Sequence, residues 1–249
     1  MKKEKTMILE VCVDSVESAV NAELGGADRL ELCSDLIVGG ITPSLALFEL
    51  VREKVNIPIH VLLRPRFGDF LYSENEMEIL LRQAALFHDV GADNLVIGCL
   101  SPDGTLDCVA MNRIMDVAKT TPVNLHRAFD MCRDMSKALE DAKKLGIKSI
   151  LTSGGCATAL EGIDTLNILK KNAGNVEIMA GAGINADVIG EMKMHSSLTH
   201  FHMSGKKTLQ SQMIYRNPKV NMGLPNFSEY EIWQTDIEEI RKAKKRMLS

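Results

Sequence analysis

The stretch Ile8–Gly26, ILEVCVDSVESAVNAELGG, changes period partway along. Leu9, Val11 and Val13 alternate with Glu10, Cys12 and Asp14, which is the period of a strand. Ser15 then stands where an N-cap belongs, and Val16, Ala19, Val20 and Leu24 follow at helical spacing until Gly25-Gly26 stops the helix. This is one βα unit. Working outward, seven more short apolar runs follow the same grammar: Arg29–Cys33, Ile59–Arg64, Leu95–Gly98, Val123–His126, Ile150–Ser153, Glu177–Gly181 and His200–Ser204. They recur roughly every 28 residues, most with an amphipathic stretch behind them, so the expected fold class is α/β, a (β/α)8 TIM barrel. Thr42-Pro43 is expected to open the second helix, and Gly91, Gly146 and Gly174 to close later ones.

Two connections exceed what this grammar needs, Pro65–Asn75 after the third run and Gly205–Glu229 after the eighth. A last helix is expected over Tyr230–Met247, as a C-terminal extension with Trp233, Ile237, Ile240 and Met247 on one stripe. Asp236, Glu238 and Glu239 come early and Arg241 to Arg246 late, which suits the helix dipole and reads as a solvated face. At 249 residues the chain is the size of one barrel, so residues 1–249 are read as a single domain, with the long loop and last helix from about residue 205.

Composition excludes several classes. Hydrophobic residues are 45% of the chain, yet no run approaches the ~20 apolar residues of a membrane span, and the basic start Met1–Lys5 leads into no apolar leader. A soluble, cytoplasmic protein without a membrane partner is expected. A net charge of −4 and an aromatic content of 4% supply neither a phosphate-binding footprint nor stacking platforms, so nucleic acid is not an expected partner. The six cysteines, at 12, 33, 99, 108, 132 and 156, lack zinc-ribbon pairing and are read as thiols.

Barrel strands are covered on both faces and normally read as unbroken Val, Ile and Leu. Here Glu10 and Cys12, Glu31 and Cys33, His60 and Arg64, Asn124 and His126, Glu177, and His202 and Ser204 share one parity within their runs. That parity points the polar set into the barrel, where carboxylates must be met by Arg64, histidine or metal. One reading is an ion-paired core that holds register. The other is a polar pocket where the strands end. In the second, Glu10, Glu31, His126 and Asp130 are the candidate acid–base residues, and Arg64, Arg66 and Arg127 offer forks for an anion. Ser153-Gly154-Gly155, Gly181-Ala182-Gly183 and Ser204-Gly205-Lys206 resemble backbone nests for phosphate, with tight turns as the plain alternative. Cys12 and Cys33, each two residues past a glutamate on neighbouring strands, suit a soft ion such as Cu(I), although buried cysteine is also an ordinary small hydrophobe.

With these segments in view, the chain resembles the copper homeostasis family CutC. The resemblance runs through Glu10–Ser15, Gly26–Cys33, Gly39–Ser44, Arg64–Ser73, His126–Asp130, Leu151–Gly155 and Phe201–Ser204, in that order. It implies a (β/α)8 barrel, a cytosolic place, a homo-oligomer, and a role in copper trafficking or tolerance with Cys12 and Cys33 as the Cu(I) ligands. Two positions depart from the family pattern. Phe67 stands where Gly is common, and Ala180 and Ala182 interrupt a segment that is commonly Pro-Gly-Gly-Gly. The expected function is copper homeostasis with copper(I) bound; the alternative is a barrel enzyme acting on a small anionic or phosphorylated substrate.

Overall fold

The computed structural model describes residues 7–223 and 227–249; the basic start Met1–Lys5 lies outside them. Eight strands, β1 Ile8–Val13, β2 Arg29–Leu32, β3 Ile59–Leu62, β4 Asn94–Ile97, β5 Val123–Leu125, β6 Ser149–Thr152, β7 Glu177–Ala180 and β8 His200–Met203, close a barrel in chain order. Neighbouring strands are parallel, and β8 pairs back onto β1. Helices α1 Val16–Gly25, α2 Leu45–Lys54, α3 Glu74–Asp89, α4 Cys108–Ala118, α5 Met135–Leu145, α6 Ile163–Asn172 and α7 Ala186–His195 fill the connections. The expected TIM barrel is therefore the observed fold. Among the described residues, no helix is long and apolar enough to cross a membrane, and the six cysteines are free thiols.

The period of two does what it implies. Leu9, Val11, Val13, Leu30, Leu32, Ile59, Val61, Leu95, Ile97 and Phe201 face outward and are buried under the helices, each stabilising the fold by about 1.5–3 kcal/mol. The alternate positions turn inward, and Glu10, Glu31, His60, Asn94, Asn124, His126 and His202 are all buried there. Glu177 departs from the expectation: it sits at the far end of β7, half-exposed, with Lys170 Nζ 2.7 Å from its carboxylate.

Local signals hold unevenly. Ser15 caps α1, its hydroxyl accepting from Ser18 N–H at 3.2 Å, and Gly26 ends it in the left-handed region at φ 96°. Leu24 is exposed, however, because the buried side of α1 is Ser18, Ala19, Ala22 and Gly25. A Cβ on Gly25 would fall 2.5 Å from Ile240 Cβ, so a second helix lies where a large side chain would have pointed. Thr42-Pro43 does not start α2. Ser44 is the cap, accepting from Leu47 N–H at 3.1 Å, and Thr42 instead accepts Arg64 N–H at 2.8 Å, tying the turn before α2 to the end of β3.

The C-terminal reading needs the largest correction. Helix does not begin at Tyr230: Glu231–Thr235 is a strand, β10, antiparallel to β9 Lys206–Gln210. Trp233 lies opposite Thr208 in that ribbon, and Lys206 Nζ sits 3.0 Å from its ring centroid. Asp236 caps the true helix α8, Ile237–Leu248, whose buried stripe is Ile240, Ala243 and Met247. Because α8 packs against both α7 and α1, it is the eighth helix of the barrel wall, delayed in the chain by the β9–β10 ribbon.

Candidate functional site

The interior is layered. In the lower layer the fully buried Glu10 carboxylate takes Arg29 Nε at 2.6 Å, His202 Nδ1 at 2.9 Å and His60 Nδ1 at 3.2 Å. Asn124 Nδ2 lies 3.3 Å from His60 Nδ1, and Asn94 Nδ2 donates to Asn124 at 3.3 Å. Burial alone would raise the Glu10 carboxyl, but Arg29, His202 and His60 outweigh it and hold the group well below the usual carboxylate range. Glu10 is thus an ionised, fully engaged member of an internal network, and it does not line the cavity above.

That cavity, about 450 Å³, opens where the strands end. Of the residues singled out from the sequence, Cys12, Glu31, Cys33, Arg64, His126, Arg127, Ala182, Gly183, His202, Ser204 and Lys206 line it, joined by Phe70. Glu10, Arg66, Asp130, Ser153, Gly154 and Gly181 do not. Phe70 carries no polar signal, and only the aromatic in the long Pro65–Asn75 connection could have drawn notice to it. Asn94 was missed for a plainer reason: its strand starts one residue before the apolar run suggests.

Arg66 is spent elsewhere because the residue after Pro65 no longer shares the strand's inward parity. Its guanidinium holds Glu76 at 2.6 Å and Asp69 at 3.0 Å, folding the connection against the start of α3. Arg64, one inward position beyond Leu62, does reach the cavity. Its Nη1 donates to the carbonyls of Val38 and Gly40 and its Nη2 to that of Gly68, and the guanidinium lies 5.0 Å from the Phe70 ring centroid. Among the described residues no carboxylate pairs with it.

The nest after β6 has an occupant of its own. Asp130, just past β5, accepts from Thr152 Oγ1, from Ser153 N–H at 3.1 Å and from Gly155 N–H at 3.1 Å, and pairs with Arg127 Nε at 2.7 Å. Gly154 is there for close packing, since a Cβ on it would stand 2.5 Å from the Gly162 carbonyl oxygen. The Ser153-Gly154-Gly155 turn therefore binds an anion as its residues suggest, but the anion is the chain's own side chain. After β7, Gly181 N–H donates to Thr152 at 3.1 Å. Ala182 and Gly183 then take φ of 79° and 75°. Ala182 thus adopts the left-handed backbone usually left to glycine, at a cost of roughly 1–2 kcal/mol.

Electrostatics divide the titrating groups. Burial pushes Glu31 up to about 7, with His202 and Arg29 pulling it down and Glu10 pushing further. Burial would discharge His202, but Cys12, Glu10 and Glu31 raise it well above its ordinary value. His126 goes the other way: burial and then Arg64 push it down to about 3. Its Nδ1 accepts Ala128 N–H at 3.1 Å, which leaves the ring proton on Nε2. The Cys33 thiol is held well above its usual range by burial and by neighbouring Cys12 and Glu31.

The thiols are one rung apart. Register pairs Cys12 with Glu31 on β2, so Cys33 lies one inward-facing position nearer the mouth, its Sγ 3.5 Å from the Val13 carbonyl. Glu10, Glu31 and His202 each place one donor atom within 4.8 Å of the others.

These features define a (β/α)8 barrel with a thiol-, carboxylate- and guanidinium-lined cavity at its C-terminal mouth. The chain belongs to the CutC family, whose profile matches residues 7–207. It is 44% identical over 236 residues to the human copper homeostasis protein cutC homolog, covering 94% of this chain and 86% of that protein. It is 40% identical over 240 residues to a CutC family protein of Bacteroides fragilis, covering 95% and 96%. The crystal structure of the CutC protein from Streptococcus agalactiae superposes with a TM-score of 0.75 at 27% identity, covering 80% of this chain and 99% of that one.

Proposed function

We propose that this protein serves copper homeostasis by taking Cu(I) as cargo on Cys12 and Cys33. The observation that carries the reading is that both thiols line one cavity, on adjacent strands and one rung apart. The donors suit the ion: thiolate is the soft ligand that selects Cu(I), and the apolar wall of Leu36, Leu62 and Val96 around Cys33 keeps competing water away. The names of the relatives support it as well. Since the Cys33 thiol is held high by burial, uptake must displace its proton, so affinity rises with pH, by up to about tenfold per unit for each proton released.

The test is a competition titration with a Cu(I) chelator on the wild type and on Cys12→Ser/Cys33→Ser. The wild type is expected to hold one tight equivalent and the double variant none, with each single variant weakened. Unchanged stoichiometry and affinity in the double variant would remove copper from these residues.

A further inference from the structure

Six buried side-chain nitrogen or oxygen atoms have no hydrogen-bond partner among the described residues. Three of them, Arg64 Nε, His126 Nε2 and Glu31 Oε2, belong to residues that line the same cavity. Each such orphan is costly to a fold unless some group pairs with it. Copper chemistry explains neither of the two N–H donors: a guanidinium repels a cation, and a histidine that carries its proton on the unpartnered nitrogen offers no lone pair there. The cavity is better described by what its orphans lack, an acceptor for two N–H groups and a donor for one carboxylate oxygen.

Arg64 narrows the choice. Its Nη1 and one Nη2 proton are taken by the carbonyls of Val38, Gly40 and Gly68. The Nε–H is the donor left without an acceptor, and a guanidinium edge is the fork a carboxylate fits. The Phe70 ring is 4.9 Å from the His126 imidazole centroid and 5.0 Å from the Arg64 guanidinium carbon, so both residues pack against one ring. Glu31 approaches from β2, with the rest of the cavity between.

We propose that the cavity binds a small hydroxycarboxylate, its carboxylate on the Nε/Nη2 edge of Arg64 and on His126 Nε2–H, and a hydroxyl donating to Glu31. A monoanion is favoured over a phosphate. The nest after β6 is already filled by Asp130, and a dianion would add charge to a wall that contains Glu31 and rests on the ionised Glu10. A volume of about 450 Å³ admits a compound the size of glycerate or gluconate. This site shares the cavity with the two thiols but none of its contacts, so it stands or falls apart from the copper reading.

Calorimetric titration and thermal melts of the metal-free full-length protein provide the test, with glycerate and gluconate as probes and propionate and inorganic phosphate as comparators. Glycerate or gluconate should bind and raise the melting temperature, more strongly than propionate, and equally in Cys12→Ser/Cys33→Ser. Arg64→Gln should weaken binding at least about tenfold, His126→Asn should weaken it less, and Glu31→Gln should erase the preference for glycerate over propionate. If Arg64→Gln fails to fold, Arg64→Lys keeps the charge without the fork and should show the same loss. Binding of phosphate at least as strong as glycerate, no response to either hydroxycarboxylate, or an effect that survives both Arg64 variants would overturn the proposal.

Discussion

His126 is kept neutral by burial and by the Arg64 guanidinium, and the cost appears only in acid. The unfolded residue takes up a proton below about 6.5, while the folded one resists until about 3. The unfolded state therefore binds more protons across that interval, and stability falls as pH drops through it. Between pH 7.5 and 5 this group alone is expected to withdraw on the order of 2 kcal/mol. His126→Asn should shrink the difference in melting temperature between those two pH values by a few degrees, measured by calorimetry. An unchanged acid sensitivity would mean that the imidazole is charged in the folded protein. At the same scale, sequence parity identifies Arg64 as an inward residue, but it does not separate Arg64 from Arg66. Only the turn at Pro65 sends one into the cavity and the other to Glu76.

The connection after β6 shows what an element can hide. Its glycines and serine spell an anion-binding turn, and the chemistry is as spelled, but Asp130 supplies the anion from the preceding connection. Asp130→Ala should destabilise the protein by roughly 2–4 kcal/mol, because several donors lose a charged acceptor at once. It should also leave a nest that exogenous phosphate can enter. Phosphate is then expected to raise the melting temperature of Asp130→Ala more than that of the wild type; equal responses would show that the turn is held by packing alone. The same lesson holds at the C-terminus. Tyr230–Thr235 reads as the start of a helix because Trp233 and Ile237 fall at helical spacing, yet pairing with Lys206–Gln210 makes it a strand.

On the scale of the molecule, α8 closes the helical ring between α7 and α1. Ile240 is its keystone, fully buried and standing where Cβ atoms on Gly25 and Gly205 would each meet it at 2.5 Å. Ile240→Ala is expected to cost about 2–5 kcal/mol in chemical denaturation, whereas Leu248→Ala, at the exposed end of the same helix, should stay within about 0.5 kcal/mol. Comparable losses at the two positions would contradict a helix that is part of the barrel wall.

The sequence by itself determined the eightfold strand–helix repeat and the inward direction of Glu10, Glu31, His126 and the two cysteines, and it left the glycines after β6 open between an anion-binding nest and a tight turn. Period two, capping residues and glycine conformation are local properties, and a barrel of parallel strands in chain order follows from them with little freedom left. Tertiary structure alone decided that Glu10 lies beneath the cavity rather than in it, that Asp130 fills the nest, that Arg66 turns away, and that the last helix seals the wall. Each of these depends on which groups from distant strands meet at one height in the barrel. Shear and register set that height, and neither can be read from the spacing of residues along one strand.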